Sequence, residues 1–205
     1  AIECMPCDVS TYDKKPGCPS GHYSRHLDDK LGFREIKKRQ YKMHVPGMGR
    51  HAIARTSIPV HLMVPHECID RELKADVTIR IRCQEMAEAR EFPPSYFDSP
   101  VVVTHGAGAV LPLGMFMDGV PYSLTDAVVG VWLFNLVTGA RHLIGLIRKS
   151  IVCQCGCRGS DTWFPILLFL RWSFRCMSNA RYPTSRHDGT CWDADFDATR
   201  QPFAG

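Results

Sequence analysis

The sequence predicts a mixed α+β chain, in which a small cysteine- and histidine-rich N-terminal module precedes a β-β-β-α unit. Three observations carry that prediction. Residues 1–26 crowd Cys4, Cys7, Cys18, His22 and His26 among Pro and Gly turn formers, with few large apolar side chains. From about Val110, apolar runs are punctuated by Asp118-Gly119 and Thr138-Gly139, and a helix-spaced apolar face follows them. The third is size: 205 residues, 45% hydrophobic and 22% charged, make one domain of ordinary size plus a small satellite. That balance excludes a wholly disordered chain and a collagen-like repeat. A start at Ala1 and the lack of a clear final element read as a fragment, with the β-β-β-α unit incomplete.

In chain order, residues 1–60 form a Cys/His and basic module, 61–100 a helical connector and 110–205 the β-β-β-α unit. Pro46-Gly47-Met48-Gly49 breaks any helix in the first part. Pro65 is a good first helical residue, so one or two helices run from there through Glu72 and Met86. Within that stretch Val77, Ile79 and Ile81 alternate like a strand. Pro93-Pro94 ends it. Leu113–Met117 reads as a short buried strand ending in Asp118-Gly119, Ala127–Val137 as a second and Arg141–Arg148 as a third. Short loops between them force antiparallel neighbours. Thr162–Asn179 spaces Phe164, Leu167, Leu168, Trp172 and Met177 as a buried helix face. Trp132, Trp163 and Trp172 fall at apolar strand or helix positions and read as core packing. The apolar run Trp163–Leu170 is too short to span a bilayer, which takes about 20 residues. With no signal segment at the start, the chain reads as soluble and intracellular, its thiols reduced or metal-bound.

Cys4-x2-Cys7, then Cys18 and His22, offer three thiolates and an imidazole for tetrahedral Zn²⁺, with His26 as a substitute for His22. A segment with so little apolar surface cannot build its own core, and a structural metal would supply the missing stability. A second cluster, Cys153-Gln154-Cys155-Gly156-Cys157, places three sulfurs at alternate positions. It reads as a metal site, a buried turn or a disulfide pair. Its fourth ligand is open among His142, Cys176, His187 and Cys191. Asp118, after an apolar strand and before glycine, is either the first Mg²⁺ ligand of a two-metal site or an Asp-Gly turn.

Charge is concentrated. Between Gly21 and Arg55, nine basic residues face three acidic ones, a local balance of +6 in a chain of net +4. Arg34, Lys37, Lys38, Arg39 and Lys42 form its centre, the footprint expected of contact with a phosphate backbone. DNA is the partner this predicts, with a nuclear compartment as one intracellular option; the alternative reading of the basic run is a solvated loop or helix face.

The strand with an acid at its end, two antiparallel strands and a helix resemble the opening of an RNase H-like domain, as in DDE-type transposases and integrases. The phrases Met117-Asp118-Gly119-Val120, Thr138-Gly139-Ala140-Arg141-His142, Cys155-Gly156-Cys157-Arg158-Gly159 and Arg186-His187-Asp188-Gly189 are similar to transposon-like reading frames of protist genomes. The resemblance implies that Asp118 is the first catalytic acid of a metal-dependent DNA strand transferase or nuclease. The later acids that such a site needs are missing: residues 180–205 read as loop, and Asp188 lies between Pro183 and Gly189. The chain is therefore expected to bind nucleic acid without catalysing strand transfer alone. The alternatives are a zinc-stabilised structural or interaction protein with neither activity, and a decayed reading frame.

Overall fold

The computed structural model describes residues 39–49, 54–121, 124, 126–195 and 197–200. They fall almost entirely in the second of two units, Gln40–Gly205. The ligand set Cys4, Cys7, Cys18 and His22, and the basic residues Arg34, Lys37 and Lys38, lie outside the described residues.

An antiparallel hairpin opens this unit, β1 (Tyr41–Met48) pairing with β2 (Arg55–Leu62) from Tyr41↔Leu62 to Met48↔Arg55. Alternation decides its orientation, because Tyr41, Met43 and Val45 are buried at every second position of β1. Strands β1 and β2, grouped up to residue 60 on sequence with the basic module, thus contribute to the main core. Pro46-Gly47 does exclude a helix here, yet Pro46 pairs with Ser57 inside a two-stranded ladder.

Helix α1 (Pro65–Ala75) starts on its proline and buries His66, Cys68 and Ile69. Helix α2 (Ile79–Glu88) follows a turn in which the Thr78 backbone N–H and hydroxyl both donate to Asp76 Oδ1. That turn decides between the two periods at 77–81. Ile79 is buried as the first residue of α2 while Val77 and Ile81 are exposed, so their alternation marks a helix start rather than a strand. Two short helical turns, α3 (Pro94–Phe97) and α4 (Pro100–His105), each begin on proline.

Strands β3 (Leu113–Pro121), β4 (Ala127–Asn135) and β5 (Arg141–Arg148) form an antiparallel meander in that order. The 20-residue helix α5 (Ser160–Asn179) comes next, but its buried face runs through Thr162, Ile166, Phe169, Leu170 and Ser173, whereas Phe164, Leu167 and Leu168, expected on that face, are exposed. The strand-strand-strand-helix order read from sequence is present, within a mixed α+β fold of small sheets and helices. One hydrogen bond joins the hairpin to the meander, from Met63 N–H to the Ile144 carbonyl at 2.7 Å. Core residues come from β1, β2, β4, β5, α1 and α5, with Leu62, Val131, Ile144, Ile166 and Phe169 at its centre. Trp163 and Trp172 pack against it as expected.

Two expectations for β3 do not hold. The strand does not stop at Asp118-Gly119, because Gly119 and Val120 pair with Val129 and Val128 of β4. Nor is it buried: as an edge strand it leaves Met115, Phe116 and Met117 each about 40% exposed.

Residues 181–195 and 197–200 are irregular chain tied to β1 and α1 by charge. Fully buried Asp197 pairs with both Arg186 and Arg200, and Arg200 reaches Glu67 of α1 at 2.6 Å. The Arg186 guanidinium lies 4.4 Å from the Tyr41 ring centroid. No described helix is long and apolar enough to cross a membrane.

Candidate metal centre and an outward aromatic face

The loop between β5 and α5 brings Cys153, Cys155 and Cys157 together, their sulfurs all within 4.8 Å of one another. Locally the chain has little freedom. The Cys153 N–H donates to Thr162 Oγ1 at 2.9 Å, and that hydroxyl donates to the Pro46 carbonyl of β1 at 2.6 Å. Thr162 is fully buried, so the first turn of α5 is tied to both the cluster and the hairpin. Gly159 takes φ +87°, which reverses the chain into the helix; a Cβ there would be strained and would also meet Val152.

Cys153 is buried, Cys155 exposed and Cys157 intermediate. Cys153 Sγ donates to Cys155 Sγ at 3.0 Å, and Arg55 Nη2 donates to the same sulfur at 3.1 Å. These contacts lower the Cys155 thiol to about 6: first the Cys153 thiol, then the Cys157 backbone N–H and side chain, then Arg55. Cys153, as the donor to that thiolate, is pushed up. One sulfur is thus ready to ionise near neutrality. Three thiols so placed could hold a metal, and the set suits a soft or borderline cation such as zinc. The described cysteines are free thiols.

None of the four residues considered as a fourth ligand joins this group. His142 Nε2 is hydrogen-bonded to Glu72 Oε2 at 2.7 Å, and His187 Nδ1 to the Tyr41 hydroxyl at 2.7 Å. Cys176 is half-buried on α5 and Cys191 is exposed in the C-terminal segment.

Asp118 lies within β3 opposite Gly130, exposed, and it belongs to no group of three potential ligands among the described residues. It is neither at a strand's end nor in a turn. Asp126 ties two strands together. Its carboxylate accepts from Arg148 Nη2 at 2.6 Å and from the Ser150 hydroxyl at 2.8 Å, joining the start of β4 to the end of β5. Of the basic residues, Arg39 is exposed, and Lys42 sits in β1 opposite His61 with its carbonyl accepting from Arg186 at 2.5 Å. Arg55 is engaged by Cys155 and by Asp161, whose Oδ2 lies 2.5 Å from Nη2.

The sheet also carries a face that the core does not use. Val131 and Leu133 point inward, so Phe116 on β3 and Trp132 and Phe134 on β4 share the opposite side. Trp132 is therefore not core packing, in contrast to the sequence reading. Phe116 and Trp132 lie nearly parallel, 6.0 Å between centroids, and Phe116 and Phe134 are 4.8 Å apart. Arg141 of β5 places its guanidinium 5.3 Å from the Phe134 ring. Gly130 makes this packing possible, since a Cβ there would come within 2.6 Å of the Trp132 indole nitrogen.

No family model, no curated protein and no solved structure matches the chain.

Sequence reasoning missed Arg55 and Asp161 as neighbours of the thiols, and the outward set of aromatic rings. Arg55 was visible only as the last charge of a basic window. Asp161 follows Cys157 by four residues, a spacing that acquires meaning once Gly159 turns the chain. The aromatic positions were legible as strand, but which face meets the core depends on β1, α1 and α5 packing against the other side.

Proposed function

We propose that this protein is a zinc-stabilised nucleic-acid-binding protein of the mobile-element type, without a strand-transfer site of its own. The observation that carries the reading is the outward face built from Phe116, Trp132 and Phe134 with Arg141 across one ring. Adjacent rings on a sheet surface offer flat apolar area for unpaired bases, and a neighbouring guanidinium can meet the phosphate between them. DNA with exposed bases is the ligand that such a face suits. The mobile-element assignment leans on the β-β-β-α order and on the phrases around Asp118 and the cysteine cluster. Mg²⁺ at Asp118 belongs to that resemblance. No companion acids are grouped around Asp118 among the described residues, and the proposal gives it no two-metal role.

A specific observation favours the interaction-protein reading as the competitor. Phe164, Leu167 and Leu168 leave an apolar stripe exposed on α5. Fluorescence anisotropy with a labelled single-stranded oligonucleotide, at graded salt, separates the two. Under the proposal, affinity falls steeply with salt, and Phe116→Ala and Arg141→Glu each weaken binding about tenfold, the scale of one lost base stack or more. Absence of binding by folded, zinc-loaded protein overturns it. Concentration-dependent self-association in sedimentation, without DNA binding, establishes the competitor instead.

A further inference from the structure

We propose that Asp161 completes the cluster of Cys153, Cys155 and Cys157 as the fourth ligand of a zinc-type cation, forming a three-thiolate, one-carboxylate centre. The inference rests on the metal reading of the cluster and adds the donor which that reading lacks.

Arg55 points to it. A single guanidinium nitrogen, Nη2, lies 3.1 Å from Cys155 Sγ and 2.5 Å from Asp161 Oδ2. The sulfur and the carboxylate thus flank one guanidinium nitrogen, so a donor from the β5–α5 loop and a donor from α5 approach the same spot. Asp161 stands outside the group of ligand atoms that lie within 4.8 Å of one another, so its carboxylate has to swing from Arg55 toward the sulfurs as a divalent ion binds. Asp161 is also well placed by the chain. It stands in the first turn of α5, beside Thr162, whose buried hydroxyl is hydrogen-bonded to both Cys153 and Pro46. The turn that positions the thiols therefore positions the carboxylate as well.

The exchange is chemically simple. Asp161 is about 39% exposed and Arg55 about 45%, so both can reorient without disturbing the core. The carboxylate turns from guanidinium to metal. The Arg55 N–H stays with the Cys155 sulfur, where its charge offsets part of the excess left when three thiolates and a carboxylate bind a divalent ion. Zinc accepts carboxylate oxygen at about 2.0–2.2 Å alongside thiolate sulfur, so the donor set is ordinary for it.

Cobalt(II) reports the centre directly, because thiolate charge-transfer absorption counts sulfurs and the visible d–d band reports tetrahedral geometry. The probe is Co²⁺ added to the full chain carrying Cys4→Ser, Cys7→Ser and Cys18→Ser, so that only the second cluster is read; circular dichroism confirms folding. One Co²⁺ is expected to bind with three-thiolate charge transfer and a tetrahedral d–d band. Asp161→Asn and Asp161→Ala should keep the charge-transfer band, alter the d–d band and weaken binding by about tenfold or more. The exposed-loop control Asp195→Asn should change neither. An unaltered spectrum and affinity in both Asp161 variants overturns the fourth-ligand assignment while leaving the metal site standing. No cobalt absorption in the folded parent overturns the metal reading itself.

Discussion

His66 makes the stability of this fold depend on pH, in a direction opposite to that of a paired surface histidine. Its imidazole is 7% exposed at the start of α1, set edge-on to Trp172 and Tyr182 with centroids 5.2 and 5.9 Å away. Ser173 Oγ accepts the His66 backbone N–H at 3.0 Å and lies 2.9 Å from Nδ1. The hydroxyl has a proton to give and a second lone pair to offer, so its contact with Nδ1 satisfies the neutral imidazole in either tautomer. Burial is the main cause of a histidine pKa lowered to about 4; the Arg200 charge adds to it and Asp70 opposes it.

Because the folded-state value lies below the unfolded one, the unfolded chain binds the proton more tightly. The contribution is complete above about pH 6.5 and is lost as pH falls toward about 4. At about 1.4 kcal/mol per pH unit, lowering pH from 7 to 4.5 costs about 2–2.5 kcal/mol from this one group. Urea denaturation at the two pH values measures it in wild type and in His66→Gln, which keeps a polar group near Ser173 but does not titrate. Asp70 and Asp188 have lowered pKa values and also titrate in acid, so the quantity of interest is the difference between the two proteins' pH dependences. Wild type should lose about 2 kcal/mol more than His66→Gln over this interval. Equal losses would refute the assignment of a buried neutral imidazole.

Further consequences follow from the buried charges. Asp197→Asn leaves Arg186 and Arg200 facing each other without the carboxylate, and should cost about 3–5 kcal/mol in urea denaturation; Asp195→Asn, on an exposed turn, should stay within about 0.5 kcal/mol of wild type. Glu72 accepts from Asn135 Nδ2 at 3.0 Å and from Thr138 and His142, joining α1 to the β4–β5 turn. Glu72→Ala should therefore raise amide hydrogen exchange at Gly139 and Ala140 well before it affects β1.

The order of strands and helix from residue 113 onward was legible because the Thr138-Gly139 turn and the apolar run after Thr162 are local signals. Gly139 takes φ +73°, as such a turn requires. The face of α5 that meets the core, Ile166, Phe169 and Leu170, was not the one that the spacing of Phe164, Leu167 and Leu168 marked. The proximity of the three cysteine sulfurs was also readable, since residues spaced by two in a short loop cannot lie far apart. What the cluster touches was not: Arg55 is 98 residues before Cys153 in sequence, and only the packing of β1–β2 against the start of α5 brings it there.

The sequence by itself determined the mixed α+β class, the β-β-β-α order and the one local cysteine cluster that the structure describes. Each depends on contacts between near neighbours along the chain, and periodicity and turn chemistry record those directly. Tertiary structure decided that β1 and β2 belong to the core, that Asp118 stands within an edge strand, and that Trp132 faces outward. Each of these depends on which face of a strand meets a distant element. A period of two marks both faces equally, and only the packing of β1, α1 and α5 against one side of the sheet distinguishes them.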